Sequence, residues 1–235
     1  MKKSIKYFGR DLEAMSYATR YYQWILKECL PFIQGDIVEI GAGSGTFTRI
    51  LLENKFSNIT AVEPSKNMFE LLKQNTSKFK RIQIFNNYLS QITKNLNSNT
   101  ETFFYINVLE HIENDKKEID LVYKTLKPQG HVCIFVPALQ QLYSSFDRKI
   151  EHHRRYHKRQ LERILKSVGF KIEKSKYMDM PGVLVWWTSF CLFRRKILSP
   201  SMARLYDNLA IPVIRRFEKL ISPPLGKNLL IVGKK

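Results

Sequence analysis

The chain has 235 residues, of which 44% are hydrophobic and 26% charged, values typical of an ordinary globular protein. A chain of this length can bury roughly 70% of the surface that its unfolded form exposes, so a single α/β domain needs no disulfide or metal staple. Cys29, Cys133 and Cys191 are odd in number and widely spaced, which excludes a disulfide framework and a CxxC motif. We therefore expect a reducing cytoplasm and no metal site.

The formal net charge of +18 is the unusual feature of the composition. Residues 151–235 carry 19 basic and 6 acidic side chains, against 20 and 15 in residues 1–150. This excess of positive charge favours an anionic partner. Composition does not distinguish between nucleic acid, an acidic membrane surface and a phosphorylated substrate. The first six residues have no apolar stretch behind them, and the longest apolar run, residues 183–193, is about half a bilayer span. We expect no secretory signal and no membrane crossing.

Short β-branched runs alternate with helical periodicity along the chain, which predicts a mostly parallel sheet covered by helices. The first helix covers residues 11–30, with Tyr17, Tyr21, Trp24 and Ile25 on one face. Strands are predicted, in chain order, at residues 37–40, 59–63, 82–85, 103–107, 131–136, 170–177 and 228–232. The best-marked later helices are predicted at residues 46–54, 67–74, 115–126 and 158–168.

A glycine-rich turn joins the first strand to the helix that follows it. Gly41, Gly43 and Gly45 allow a tight turn and a close approach of the backbone to a ligand, with helix amides exposed beside it. A dinucleotide-binding fingerprint needs its third glycine where Thr46 stands, which weakens that interpretation. Glu63, about 20 residues further on, ends the second strand where a ribose diol lies in such folds. A purely structural turn remains the alternative.

These segments resemble class I S-adenosylmethionine-dependent methyltransferases over residues 12–178 and the last strand. Glu39 to Gly45 resembles the glycine-rich motif, Glu63 the ribose-binding acid, and residues 107–112 the segment that lines the methionine part of the cofactor. Residues 126–130 resemble the usual Leu-x-Pro-Gly-Gly turn, with Gln129 in place of one glycine. The resemblance implies S-adenosylmethionine bound by Glu39, Gly41, Gly43, Gly45, Glu63, Pro64, Asn87, Tyr88, Asn107 and Val108, with Tyr21 covering one side.

A narrower resemblance is to a bacterial subgroup of these enzymes that is often found beside glycosyltransferases. It depends on residues 21–25, on residues 136–138, and on Asp147 followed by the run from His152 to Tyr156. Glu151 stands where the subgroup usually has glycine just before the first histidine.

The resemblance also implies a Rossmann-like, doubly wound sheet of seven strands, the last antiparallel between strands five and six. The chain is then one domain, residues 1–235. Residues 1–34 form a helical lid, 35–178 the cofactor-binding core, 179–227 a helical insert and 228–235 the last strand. The insert leaves and re-enters the sheet at its carboxyl edge, beside the ligand. Its aromatic residues next to clustered arginines indicate contact with a lipid headgroup or an amphiphilic substrate. Packing against the core or a second subunit is the alternative.

Methyl transfer mainly requires that donor and acceptor be held in line and that the acceptor's proton be removed where necessary. The candidate bases are His111, His152 and His153, because the implied topology places them on the cofactor side of the sheet, with His111 and His152 preferred. Glu110 could orient a partner or accept the proton itself. His131 and His157, at the ends of predicted elements, are expected to be structural. The candidate substrate-binding residues are Arg154, Arg155, Tyr156, Trp186, Trp187 and Arg194. Arg195, next to Arg194, is expected to help bind an anionic headgroup or phosphate.

Three function classes remain open. A methyltransferase acting on a small amphiphilic or anionic acceptor, such as a lipid-linked sugar or quinone-like compound, fits best. We expect it in the cytoplasm, with attachment to the inner membrane face as an option. A nucleic-acid or protein methyltransferase agrees with the charge, but the segment from Asn107 lacks the Asn-Pro-Pro-Tyr type of motif. A non-catalytic cofactor-binding protein is the third class.

Overall fold

The computed structural model describes residues 17–96 and 100–235. Residues 11–16 of the predicted first helix lie outside these ranges. Helices are α1 (Thr19–Cys29), α2 (Thr46–Glu53), α3 (Lys66–Thr76), α4 (Leu89–Ile92), α5 (Asp115–Thr125), α6 (Ser145–Lys149), α7 (Lys158–Val168), α8 (Met180–Trp186), α9 (Pro200–Leu205) and α10 (Ile211–Leu220). Strands are β1 (Asp36–Ile40), β2 (Ile59–Val62), β3 (Ile82–Phe85), β4 (Thr100–Ile106), β5 (His131–Pro137), β6 (Lys171–Met178) and β7 (Asn228–Lys234).

The seven strands of the described residues form one sheet in the order β3-β2-β1-β4-β5-β7-β6. Strands β1 to β5 run parallel, and β7 pairs antiparallel with both β5 and β6. All seven residues of β5 are buried, as expected for a strand covered by helices on both faces. The structure confirms the predicted Rossmann-like fold, including the antiparallel last strand and the helical region before it.

Two apolar layers cover the two faces of the sheet. One joins α1, α2 and α10 to the sheet through residues such as Trp24, Leu51 and Ile214. The other joins α5 and α7 to the opposite face through Val122 and Leu165. Cys29, Cys133 and Cys191 are all described and all free, as the sequence predicts.

The insert between β6 and β7 is more divided than the sequence suggested. Helix α8 continues as a π-helical segment (Trp187–Leu192), and a second one (Tyr206–Ala210) joins α9 to α10. Asp207 in the second segment accepts hydrogen bonds from the backbone amides of Arg20 and Tyr21, 2.9 and 2.8 Å away. The insert is thereby bound to the first turn of α1. No helix in the described ranges is both long and apolar enough to span a bilayer.

Candidate active site

A cavity of about 1260 Å³ opens at the carboxyl edge of the sheet. The segments after β1, β2 and β4 line one side, α1 lines another, and the insert lines a third. Small-molecule pockets are usually roughly 300–1,000 Å³, so this cavity has room for two ligands side by side.

The glycine-rich turn forms one wall of this cavity. Gly41, Gly43 and Gly45 have φ angles of 67°, 56° and 83°, the left-handed region that favours glycine. A Cβ at Gly41 would lie 2.4 Å from Cγ2 of Val108, so the turn has no space for a side chain there. Gly41 and Gly43 line the cavity, whereas Gly45 occupies the N-cap position of α2 outside the lining.

Glu63 connects this turn to the end of β2. Its Oε2 accepts a hydrogen bond from the Gly43 amide and its Oε1 one from the Ser65 amide, both at 2.8 Å. Burial nevertheless raises the pKa of Glu63, while these two amides lower it. A carboxylate at this depth can accept further hydrogen bonds from the hydroxyls of a ligand.

Glu39, at the end of β1, is a second buried carboxylate on the cavity wall. The Thr48 hydroxyl donates to it at 2.6 Å. Burial, and to a smaller extent the neighbouring Glu63, raise the pKa of Glu39 to about 8, against a lowering by the Thr48 hydroxyl. Both carboxylates would be stabilised by a cationic ligand in the cavity.

The candidate catalytic residues Glu110, His111 and His152 are brought together. Glu110 and His111 lie on a short 3₁₀ turn after β4, and His152 comes from the loop after α6. The His111 and His152 ring centroids are 4.6 Å apart, and Nε2 of His152 is 3.8 Å from Oε1 of Glu110. All three residues line the cavity.

Burial dominates the protonation of this cluster. It raises the pKa of Glu110 to about 7, against a lowering by His152. It lowers the pKa of His111 to about 3, with His152 adding to the effect. His111 is therefore a neutral imidazole across the physiological range.

Asp147 supports the cluster from behind. Its Oδ1 is 3.1 Å from Nδ1 of His152, and the Arg155 guanidinium donates to the same oxygen at 2.8 Å. Its Oδ2 accepts hydrogen bonds from the amide and hydroxyl of Ser144, both at 2.8 Å. Asp147 belongs to the motif of the narrower resemblance, which predicted no role for it.

The predicted substrate-binding residues separate into two groups. Arg155 and Trp186 line the cavity, with the guanidinium carbon 4.5 Å from the Trp186 ring centroid. Arg155 is nevertheless buried and paired with Asp147, so its charge is already compensated within the protein. Trp186 stacks on Phe190 and donates its indole N–H to the Leu142 carbonyl. Both residues therefore hold the insert against the core.

The other predicted substrate residues lie outside the cavity lining, which corrects their expected placement. Arg154 pairs with Asp115 at 2.7 Å, and the Tyr156 hydroxyl donates to the same carboxylate at 2.8 Å. Trp187 and Arg194 are exposed, because they fall on the outer side of the insert. Arg195, which was expected to act beside Arg194, does line the cavity.

The predicted cofactor residues, Gly45 excepted, all line the cavity, including Asn87, Tyr88, Asn107 and Tyr21. The cavity is also lined by residues that no sequence pattern predicted, namely Tyr22, Phe146, Tyr206, Asp207 and Asn228. Asn228 donates its side-chain amide to the Tyr21 hydroxyl, 207 positions away in the sequence. No local motif signals a contact over that separation.

Comparisons with known proteins identify the class. A family model described as a methyltransferase domain matches residues 15–175. The chain therefore belongs to this family and is a methyltransferase. A search of curated proteins finds no match.

Solved structures agree with this fold. An S-adenosylmethionine-dependent methyltransferase from Archaeoglobus fulgidus is 20% identical with a TM-score of 0.62, covering 92% of this chain and 94% of its own. One from Thermotoga maritima is 17% identical, with a TM-score of 0.63 and coverage of 97% and 96%. A Haemonchus contortus phosphoethanolamine N-methyltransferase in complex with phosphomonomethylethanolamine and S-adenosylhomocysteine is 17% identical, with a TM-score of 0.65. That match covers all of this chain and 59% of the other. Family and fold together support S-adenosylmethionine as the cofactor.

The cavity fits this cofactor. Glu63 presents acceptor oxygens for a ribose diol, and Gly41 and Gly43 let the backbone approach a ligand closely. Glu39 and Glu63 are buried carboxylates suited to a ligand that carries a sulfonium and an ammonium charge. Met68, Leu89 and Pro64 provide an apolar surface beside Asn87 for a planar base.

Proposed function

We propose that this methyltransferase acts on an amphiphilic, anionic acceptor, of the lipid-linked sugar or quinone-like type, which it takes from an anionic membrane surface. The observation that carries the proposal is a set of apolar side chains of the insert at the rim of the cavity. Ile197, Met202, Leu205 and Leu209 line the cavity and are exposed at the same time. Water-soluble acceptors would not require such a rim.

The outer face of α10 extends this apolar surface. Val213, Phe217 and Leu220 are spaced by four and three residues, so they share one face of the helix. Their exposed fractions are 55%, 67% and 79%, whereas Ile211 and Ile214 on the inner face are buried. A helix with two apolar faces is expected to have both faces covered. The inner face of α10 packs on the protein, and in this proposal lipid covers the outer face.

The charge of the insert complements an anionic surface. Residues 179–227 contain eight basic and three acidic side chains. The acidic ones, Asp179, Asp207 and Glu218, are all buried, where they accept hydrogen bonds from backbone amides. The charge presented outwards is therefore cationic, next to exposed apolar side chains. This combination is typical of helices that lie at the headgroup boundary of a bilayer.

The narrower resemblance to a subgroup found beside glycosyltransferases supports a glycolipid-like acceptor, and we include that subgroup in the proposal. The phosphomonomethylethanolamine bound by the Haemonchus contortus neighbour supports an acceptor with a phosphate group on this fold. Arg195, exposed on the cavity wall, is the residue of this chain placed to pair with such a group.

The cofactor supplies an electrophilic methyl group. The chain's own contribution is to bind and orient the two reactants: Glu39, Glu63 and the glycine-rich turn on the donor, Trp186, Phe190 and Arg195 on the acceptor side. Glu110, His111 and His152 face the remaining space in the cavity and are the candidates for contacting the reacting group.

Liposome flotation tests the proposal. The parent protein should float with anionic vesicles and much less with neutral ones. Phe217→Asn and Leu220→Asn together should reduce flotation at least tenfold, while Leu71→Asn on α3, also exposed, should leave it unchanged. Lipid extracts incubated with the protein and radiolabelled S-adenosylmethionine should then yield a labelled amphiphile.

An RNA shift assay at about physiological salt distinguishes the alternative. Tight RNA binding without flotation would overturn the membrane proposal and favour a nucleic-acid methyltransferase, whose affinity should fall steeply with salt because counterions are released. Flotation with bound cofactor but no transfer to any lipid would overturn the amphiphilic acceptor.

A further inference from the structure

Three side chains on the cavity wall have the composition of a metal site. Glu110 offers a carboxylate oxygen, His111 and His152 each offer an imidazole nitrogen, and these atoms all lie within 4.8 Å of one another. They come from two separate segments of the chain, so this proximity is a product of the fold. A shift of about an ångström by each group would bring them to a common ligand.

Glu110 is the most informative member. It is completely buried, and neither of its oxygens accepts a hydrogen bond of normal geometry from any of the described residues. Nε2 of His152 is 3.8 Å from Oε1 of Glu110, which is beyond hydrogen-bond range. Buried carboxylates are normally hydrogen-bonded, paired or bound to a metal, since burial without a partner costs free energy.

The environment of His152 points the same way. Its Nδ1 faces Asp147 at 3.1 Å, which leaves Nε2 directed towards Glu110. Asp147 is fixed in turn by Arg155 and Ser144. A carboxylate behind a histidine is the usual arrangement that orients an imidazole and makes its other nitrogen a better metal ligand.

We propose that Glu110, His111 and His152 bind one divalent transition-metal ion, Zn²⁺ or an ion of similar preference. Two imidazoles and one carboxylate are the ligand set of catalytic zinc sites, which keep further positions for water or substrate. Imidazole ligands disfavour Mg²⁺ and Ca²⁺, which prefer oxygen. The three ligands line the cavity, so an ion held by them would be accessible to an oxygen of the methyl acceptor. That use depends on the proposed function, whereas metal binding itself does not.

Metal titration of the chelator-stripped protein tests this directly, with no requirement for activity. Zn²⁺, followed by calorimetry and by the rise in melting temperature, should bind at one equivalent per chain. Co²⁺ should give the visible absorption bands of an ordered nitrogen and oxygen site. Mg²⁺ at the same concentration should produce no shift.

Matched variants locate the site. Glu110→Gln keeps the shape of the side chain and removes the charge, and His152→Ala removes a nitrogen ligand; each should weaken Zn²⁺ binding at least tenfold. His153→Ala is the control, because His153 lines the same cavity outside the cluster. Glu110→Gln should also raise the melting temperature of the metal-free protein, which shows that the variant is folded.

Two results would overturn the proposal: Zn²⁺ that fails to bind the stripped parent protein, or binding that survives unchanged in both Glu110→Gln and His152→Ala. If Glu110→Gln and His152→Ala lose Zn²⁺ binding but still transfer methyl groups to an amphiphile, the metal site is supported and its use in the reaction is excluded. Failure of flotation with intact Zn²⁺ binding would overturn the proposed function and leave the metal site standing.

Discussion

Glu39 illustrates how a buried carboxylate makes stability depend on pH. Its pKa is about 8 in the folded protein against an ordinary 4.5, because burial disfavours the charged form. Between these two values the folded state holds a proton that the unfolded state has released. Stability therefore falls as the pH rises through this window, by up to about 1.4 kcal/mol per pH unit.

Glu39→Gln should flatten this dependence in the cofactor-free protein. Urea unfolding at pH 5 and pH 8 measures the difference, which should be markedly smaller in the variant than in the parent. Glu53→Gln, at an exposed position on α2, is the control and should retain the parent's slope. An unchanged slope in Glu39→Gln would show that another group causes the effect.

Two residues that replace the family's usual glycine adopt the left-handed backbone conformation that glycine favours. Gln129 and Glu151 stand where glycine is usual, and their φ angles are 69° and 63°. The left-handed conformation costs a side-chain-bearing residue roughly 1–2 kcal/mol. These two residues therefore carry strain that glycine at the same positions would avoid.

Glu151→Gly should consequently maintain the free energy of unfolding or raise it by up to about 1 kcal/mol, since relief of strain exceeds the added entropy of the unfolded chain. Glu151→Val should lower it by about 1–2 kcal/mol, because β-branched residues tolerate this conformation least. Urea unfolding of both variants is the measurement. Equal free energies of unfolding for Glu151→Gly and Glu151→Val would contradict the strain argument.

Cofactor affinity is the direct test of the glycine-rich wall. Gly43→Val should abolish S-adenosylmethionine binding, because a β-branched residue is strained at a φ of 56° and would block close approach. Glu63→Gln should weaken it by about 1–3 kcal/mol through loss of charged hydrogen bonds. Calorimetry measures both, and Glu70→Gln on the exposed face of α3 is the control. Parent-like affinity in both variants would place the cofactor elsewhere.

At the scale of elements, α1 depends on the insert for its N-terminal cap. Ala18 at its N-cap provides no side-chain hydrogen bond, and Asp207 accepts the amides of Arg20 and Tyr21 in its place. A carboxylate at the first turn also interacts favourably with the helix dipole. The cap therefore couples the helix over one side of the cavity to the insert over the other.

Asp207→Ala should lower the free energy of unfolding by about 1–2 kcal/mol, the usual effect of losing a cap, and should increase hydrogen exchange in the first turn of α1. Asn208→Ala is the neighbouring control, since its contact with the Arg20 side chain is exposed. If hydrogen exchange in Asp207→Ala rises equally across the whole chain, the loss of the cap destabilises the whole fold and not α1 in particular.

On the scale of the whole molecule, the separation of charge predicts how membrane binding responds to salt. The screening length falls from about 8 Å at 0.15 M to about 3 Å at 1 M salt, which weakens attraction of the cationic insert to anionic lipid. Apolar contacts of Phe217 and Leu220 are not screened. Flotation should therefore decline in high salt but persist at a reduced level, and complete loss would contradict a role for the apolar face.

The sequence by itself predicted the sheet and most of the residues that form the glycine-rich wall of the cavity. Strand and helix periodicity is local, so β3 and α7 appear at the predicted residues, and other boundaries shift by a few positions. The glycine-rich turn and Glu63 were recognisable because close backbone approach requires glycine at fixed spacing.

Only the tertiary structure decided which polar groups meet. His152 lies 41 positions from His111, and Asp207 caps a helix about 190 positions earlier, distances at which no spacing rule applies. The arginines predicted to bind substrate differ in burial. Arg155 is buried and forms an ion pair with Asp147, whereas Arg194 is exposed. Charge and residue type can be read along the chain, but pairing depends on packing, because the partner that neutralises a buried charge comes from whichever segment the fold brings beside it.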